Sequence, residues 1–314
     1  MPRSGTKLLR DLLNRHPKIA IPDVETEFLP WLAHRVPRLG DLSDRGRFDN
    51  LYRRLARKSF FVYRREAGRG VSTEAWFRAC RSFDAAGLFE ALIRLDVNAL
   101  PGSGRIWGDK SPSYIDDLTL IGTLYSDARI VHIVRDVRDY CVSVNRAWGK
   151  DMRRAAHRWS IGVMKARRDG RALGPRYLEV RYESLLRDPR STLAGLCEFL
   201  GVEFTPEMLA LGRPSENIGE ARGALQVVTD NHGKFLARID SESLADVEQI
   251  AVEAMREYGY EPVLRPRRLH WSMPIRLRLA HFHDALQLIR HREDGRGLFE
   301  SFLFHLRYFV TTRG

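Results

Sequence analysis

The chain has 314 residues, 44% of them hydrophobic, and carries 52 Lys+Arg against 40 Asp+Glu for a formal net charge of +12. That apolar share excludes a disordered chain, and the cationic excess, mostly Arg, suits phosphate, sulfate or carboxylate ligands, although a solvated Arg-rich surface accounts for it equally. Cys80, Cys141 and Cys197 are scattered and form no CxxC pair, which argues against a disulfide framework and a zinc site; with no leader segment and no run of about eighteen apolar residues, a cytoplasmic protein is expected.

The chain opens on Met1-Pro2-Arg3-Ser4-Gly5-Thr6-Lys7, which reads as an anion-binding loop running into a helix. Gly5 admits a close backbone approach, Ser4 and Thr6 offer hydroxyls, Arg3 and Lys7 offer charge, and the first N–H groups of a helix lack intrahelical partners. Leu8, Leu9, Leu12 and Leu13 give that helix a buried face. Such loops normally follow a buried strand, and none stands before Met1; the expectation is that the strand lies upstream and that Met1 is an internal methionine.

An acidic segment follows, Ile21 to Phe28, and then a mostly helical stretch over about 40–100, with Leu88, Phe89, Leu92, Ile93 and Leu95 at helical spacing. It reads as an insertion covering a substrate. From about 105 to 260 short apolar strands alternate with amphipathic helices, the pattern of a parallel sheet with crossover helices. The predicted strands are Ile106-Trp107, Arg129 to Val134 and Tyr177 to Val180. The helix after the third has Asp188 as N-cap, Pro189 in its first turn and Gly201 past its end. Another runs from about Leu244 to Tyr258, with Gly259 as its stop. Residues 263–314 hold ten Arg and no Lys among spaced apolar residues. They read as a basic amphipathic helical extension, packed on the domain or a second copy, or lying on an anionic membrane surface.

Charged residues cluster just after the strands: Asp109 and Lys110, Arg135 and Asp136, Arg181 and Tyr182. In an open parallel sheet these strand ends face one crevice, where the Ser4-Gly5-Thr6 loop also belongs. Arg135, and Ser143 two turns into the next helix, can reach one anionic group, so the crevice is suited to an anion with more than one charged group.

In the order and spacing of these motifs, residues 1–262 resemble the nucleotide-dependent sulfotransferases, particularly their bacterial branch, and are similar to the tyrosylprotein sulfotransferases. The resemblance implies an α/β, P-loop-like three-layer fold with a central parallel sheet and flanking helices. It also implies transfer of a sulfuryl group from 3′-phosphoadenosine-5′-phosphosulfate to an acceptor hydroxyl on a carbohydrate, lipid or natural product, without a metal, leaving adenosine 3′,5′-bisphosphate. By this resemblance Arg3, Ser4, Gly5, Thr6 and Lys7 take the 5′-phosphosulfate, Arg135 and Ser143 the 3′-phosphate, and Tyr182 lies near the nucleotide. Asn231, His232, Gly233 and Lys234 resemble a late loop that closes over it. Lys110, in Gly108-Asp109-Lys110-Ser111-Pro112, approaches the transferring group together with Arg3, and Glu25, before Thr26, is the base. Glu27 ranks second because it points the other way in an extended segment. Lys7 stands where the family usually has a second Thr, exchanging a hydroxyl for an ammonium group.

His16 is expected to face helix-end carbonyls, His132 to be a core histidine, and Trp148, Trp159 and Tyr140 to be core aromatics. Two other functions compete. A P-loop nucleotide kinase shares the fold pattern, but GxxxxGK[ST] does not occur. A basic nucleic-acid-binding protein fits only the charge, since no zinc finger or RNP motif is present, and no nucleic-acid partner is expected.

Overall fold

A computed structural model of the chain describes residues 1–215 and 221–265. Helix α1 (Thr6–Leu13) starts directly after the opening loop and leads to strand β1 (Ile19–Ala20). Helices α2 (Leu29–Arg35), α3 (Arg45–Leu55), α4 (Ser59–Glu66), α5 (Thr73–Ala79) and α6 (Ala85–Asp96) then fill the stretch read as a helical insertion. Strand β2 (Ile106–Trp107), α7 (Leu118–Leu124), β3 (Ile130–Val134), α8 (Val137–Trp148), α9 (Met152–Arg171) and β4 (Tyr177–Arg181) follow. The described chain ends with α10 (Tyr182–Arg187), α11 (Pro189–Leu200), α12 (Phe235–Arg238) and α13 (Ser241–Glu257).

The protein is α/β, with parallel strands joined by helical crossovers. β1 pairs in parallel with β2, Ile19 opposite Ile106, and β3 pairs in parallel with β4 over five positions from Ile130–Tyr177 to Val134–Arg181. The crossover between β1 and β2 is the whole block α2–α6, and that between β3 and β4 is the pair α8–α9. All three strands expected from the sequence are present; β1 was not anticipated. Among the described residues the two pairs stay separate.

Short polar side chains set the helix starts. Asp44, Ser72, Asp84, Asp136, Asp151, Asp188 and Asp240 each accept a hydrogen bond from a backbone N–H one turn ahead or less, an arrangement worth about 1 kcal/mol per cap. Asp188, Pro189 and a left-handed Gly201 bound α11 as the sequence indicates.

Three large apolar cores result, beside a small cluster of Val142, Phe235 and Leu244. One joins α8, α9 and α13 around Trp159, Val163 and Met255. A second, rich in aromatic rings, lies inside the α2–α6 block around Phe28, Phe48, Phe60, Trp76 and Phe89. The third packs Leu8, Leu9 and Leu12 of α1 on Ile133, Val180 and Leu193. His132 is 7% exposed and its Nδ1 lies 2.7 Å from the Tyr177 hydroxyl, so it is a core histidine as expected. His16 Nε2 meets the Glu203 carbonyl at 2.8 Å, in a loop distant in sequence rather than at the end of its own helix. No helix among the described residues is long and apolar enough to cross a membrane. The amphipathic extension expected at 263–314 lies almost entirely outside the described residues.

Candidate active site

Gly5 is the tightest point of the opening loop. Its φ of 84° is left-handed, and a Cβ there would stand 2.3 Å from Cδ2 of Tyr182, so the loop closes on that ring only because the residue is glycine. Arg3 is also left-handed, at φ 61°, a conformation that costs a non-glycine residue about 1 kcal/mol or more. Ser4 is 1% exposed, and its Oγ has no hydrogen-bond partner among the described residues. A buried hydroxyl in that state costs about 1–3 kcal/mol, which an anionic oxygen at the start of α1 would offset. Thr6 is the first residue of α1 and Lys7 the second.

Beyond the loop, β3 delivers Arg135. Trp159 Nε1 donates to the Arg135 carbonyl at 3.0 Å and fixes the backbone as it leaves the strand. The Arg135 guanidinium stacks 4.7 Å from the Tyr182 ring centroid and donates to the Arg3 carbonyl at 3.2 Å and the Asn231 carbonyl at 3.3 Å. Arg3 Nε in turn donates to Ser143 Oγ at 3.1 Å. Arg3, Gly5, Arg135, Ser143, Arg146, Tyr182, Asn231, Lys234 and Arg238 line one cavity. Burial holds the Lys234 ammonium below the ordinary lysine range, against the pull of Asp230 and Asp139 and helped by the charges of Arg135 and Arg146. With Arg3, Arg135, Arg146, Arg238 and Lys234 in its lining beside the one carboxylate of Asp139, the cavity suits a multiply charged anion.

The returning loop is anchored by Asp139, 2% exposed, which accepts from Gly233 N at 2.6 Å and from Phe235 N at 3.0 Å. Asn231 Nδ2 donates to the Tyr182 hydroxyl at 2.8 Å. His232 is exposed and does not line the cavity, so within this motif Asn231 and Lys234 face the site and Gly233 holds the turn.

On the other side of the loop, Lys110 Nζ forms an ion pair with Glu25 Oε1. Nearby Asp116 is engaged by Arg158 and, through its carbonyl, by Lys165. The Lys110–Glu25 pair is set by a buried knot of hydroxyls directly behind it. Ser111 Oγ accepts from Thr26 N at 3.0 Å and lies 3.2 Å from Thr26 Oγ1, which meets the Tyr114 hydroxyl at 2.7 Å; that hydroxyl also accepts from Leu29 N at 3.0 Å. Upstream, Arg10 Nη1 donates to the Asp23 carbonyl at 2.7 Å, and the Asp23 carboxylate gathers Arg64, Arg69 and Arg213. Burial pushes the Asp23 carboxyl up, but hydrogen bonds from Arg213 and Arg69 and the charge of Arg64 outweigh it and hold it well below the usual range.

Burial lowers the Lys110 ammonium from its ordinary value against the opposing pull of Glu25. Asp109, whose two carboxylate oxygens are buried, is pushed up to about 7 by desolvation, which outweighs the nearby Ser111 and Thr26 hydroxyls. Glu27 has φ 55° and its charge bears on Lys58, away from Lys110. The loop therefore spans two centres. Its Met1 end feels the charges of Glu25, Lys110 and Arg158, and its Arg3 end touches Arg135 and Ser143.

Every site residue named from the sequence except His232 falls on this loop, its helix or the two centres beside it. Asp139, Arg146 and Arg238 were not assigned there. Helical spacing from Ser143 could have found Asp139 and Arg146, four residues before and three after it on α8. Nothing local marks Arg238.

A glycine loop that opens a helix between Lys110 and Arg135, each just past the end of a parallel strand, has the build of an anion-binding α/β protein. The chain belongs to the sulfotransferase family, whose model matches residues 1–206, and it is accordingly an enzyme of sulfuryl transfer. It is 24% identical over 285 residues to protein-tyrosine sulfotransferase A of Caenorhabditis elegans, covering 85% of this chain and 67% of that protein. Among solved structures, the sulfotransferase domain of the Synechococcus PCC 7002 olefin synthase is 25% identical, covering 90% of this chain and 91% of that one, with a TM-score of 0.47. The sulfotransferase domain of the curacin biosynthetic pathway is 19% identical, covering 83% and 95%, with a TM-score of 0.48.

Proposed function

We propose that this chain transfers the sulfuryl group of 3′-phosphoadenosine-5′-phosphosulfate to a hydroxyl of a carbohydrate, lipid or natural product, without a metal. The observation that carries the reading is the opening loop, flanked at one end by Arg135 and Ser143 and at the other by Glu25 and Lys110. A nucleotide with anionic groups at both 3′ and 5′ positions needs two such centres. Bound there, the nucleotide supplies an activated sulfuryl group on a good leaving phosphate.

The residues fit that ligand on three counts. The unpartnered Ser4 Oγ and the start of α1 suit a 5′-anion. Arg135 keeps its Nε without a partner and, with Ser143, Arg146 and Lys234, suits a 3′-phosphate. Gly5 leaves room for a ligand to approach the backbone. Glu25 accepts the proton of the acceptor hydroxyl, a role worth about 10²–10⁴-fold in rate. Lys110 and the α1 N-terminus offset charge developing on the bridging oxygen, where positioning and preorganised charge supply most of the acceleration.

Calorimetric titration tests the reading. Adenosine 3′,5′-bisphosphate should bind at least tenfold more tightly than ADP, and Arg135→Ala with Ser143→Ala should erase the difference. Equal affinity for both nucleotides in the unmodified protein would overturn it. Transfer of labelled sulfate to a panel of hydroxyl acceptors then identifies the acceptor class.

A further inference from the structure

The parallel ladder of β3 and β4 ends at the pair Val134–Arg181, one residue short of Arg135 and of Tyr182. Beyond that pair the strands no longer set how far apart the two residues stand, yet the Arg135 guanidinium rests 4.7 Å from the Tyr182 ring centroid. A side chain supplies the next rung. Glu183 Oε1 accepts from Asp136 N at 2.9 Å, so the residue after Tyr182 is bonded to the residue after Arg135.

The second oxygen of the same carboxylate is held from far along the chain. Tyr260 donates its hydroxyl to Glu183 Oε2 at 2.7 Å, and the Arg181 guanidinium covers the Tyr260 ring at 4.3 Å. Glu183 is 7% exposed and Tyr260 4%, so a carboxylate oxygen that lost this bond would be left both unpaired and desolvated. Burial, with the Glu183 charge beside it, raises the Tyr260 hydroxyl well above the ordinary tyrosine value, so it keeps its proton and stays a donor.

The residues that follow Tyr260 are fastened to the same place. Arg138 Nη1 donates to the Glu261 carbonyl at 3.1 Å and to Glu248 Oε1 at 2.7 Å, while Glu248 accepts from Val263 N and Leu264 N, both at 2.9 Å. Arg138 also pairs with Asp136 through Nη2 at 2.7 Å, and Asp136 caps α8 directly after Arg135. Arg138, Asp136 and Glu248 are all buried. Two carboxylates, Glu183 and Glu248, thus tie residues 260–264 to the start of α8. Neither of them, nor Tyr260, lines the cavity between Arg135 and Tyr182, so whatever they do there they do through those two residues.

We propose that residues 260–264 form a strap that sets the spacing of Arg135 and Tyr182, with Glu183 and Tyr260 as positioning residues for the nucleotide. The proposal rests on the function proposed above, in that it takes Arg135 as the grip on the 3′-phosphate. Guanidinium–phosphate bonds are directional, so a displaced Arg135 loses affinity for that phosphate and leaves the 5′ end, held at Ser4 and the start of α1, largely as it was.

Tyr260→Phe keeps the ring and removes only the hydroxyl. In the full chain it should weaken binding of adenosine 3′,5′-bisphosphate by about tenfold and of ADP by less than about twofold. The Arg135 Nε–H resonance, shifted by the Tyr182 ring, should move toward the value of a free arginine with no nucleotide present. Glu183→Ala should do the same. Glu183→Gln should restore affinity to within about threefold of the parent, since its amide oxygen can accept from Asp136 N while its NH2 donates to the Tyr260 oxygen. Should Glu183→Ala fail to fold, Tyr260→Phe and Glu183→Gln decide alone. An unmoved resonance and unchanged discrimination in Tyr260→Phe would overturn the proposal. So would equal losses for both nucleotides with a lowered Tm, the result of a bond that serves only the core. A loss in Glu183→Gln as large as in Tyr260→Phe would place the effect in the charge of the carboxylate and overturn it as well. A parent protein that does not tell the two nucleotides apart would overturn the function proposed above and not the strap, which the Arg135 resonance then decides.

Discussion

Arg3 Nε donates to Ser143 Oγ at 3.1 Å, across 140 positions of sequence. The contact holds the Arg3 side chain in the cavity that Arg135 lines. Arg3→Ala is therefore expected to weaken binding of adenosine 3′,5′-bisphosphate by about tenfold and to change the single-turnover rate at saturating nucleotide little. A double-mutant cycle with Ser143→Ala, read by calorimetry, should give a coupling of about 0.5–3 kcal/mol. Strictly additive losses would show that the two residues do not share one anion.

Glu25→Gln removes the proposed proton acceptor and keeps the shape of the side chain. Transfer should fall by about 10²–10⁴-fold while the bisphosphate Kd stays within about threefold. Rapid-quench kinetics and titration together check it, and equal losses in both would make Glu25 a structural residue.

Gly5→Ala forces a Cβ into the Tyr182 ring and a left-handed φ onto alanine. The expected result is a loss of stability of more than about 1 kcal/mol and a larger loss of nucleotide affinity. Tyr182→Ala in the same protein relieves the clash and not the backbone strain, so stability measured by urea unfolding should recover only in part.

Asp109 ties stability to pH. Its folded value of about 7 lies above the ordinary 3.8, so the folded state holds the proton more tightly. Stability is thus greatest when Asp109 is protonated in both states, declines as pH rises from about 4 to about 7, and is flat above. Asp109→Asn should remove that decline and be more stable than the parent at pH 8, by up to about 4 kcal/mol. Urea unfolding at pH 5 and pH 8 measures it; an unchanged slope would assign the decline to other groups.

Much of the site could be read from sequence because its signals are local. Gly5 with flanking hydroxyls and cations, the Ile130–Val134 run and the Asp188-Pro189 start of α11 each carry their information within a few residues. β1 escaped notice because Ile19 and Ala20 are only two residues whose strand character comes from pairing with Ile106 and Trp107. The Asn231 contact with Tyr182 depends on a loop returning from far along the chain and pinned by Asp139, which no spacing within that loop encodes. The partner of Lys110 depended likewise on how residues 85 positions apart come together. The caps Asp44, Ser72 and Asp84 were open to reading, but in an Arg-dense stretch the periodicity alone did not separate α3, α4 and α5.

The hydroxyl knot of Thr26, Ser111 and Tyr114 has a mechanical consequence. Glu25 and Lys110 each sit one residue from a member of the knot, so their spacing is fixed by bonds that involve neither side chain. A shift of the acidic segment would carry Glu25 and Lys110 as one piece. The adjustable coordinate is then the gap between that piece and the anion loop, and on the proposed function that gap is what an acceptor hydroxyl has to fill.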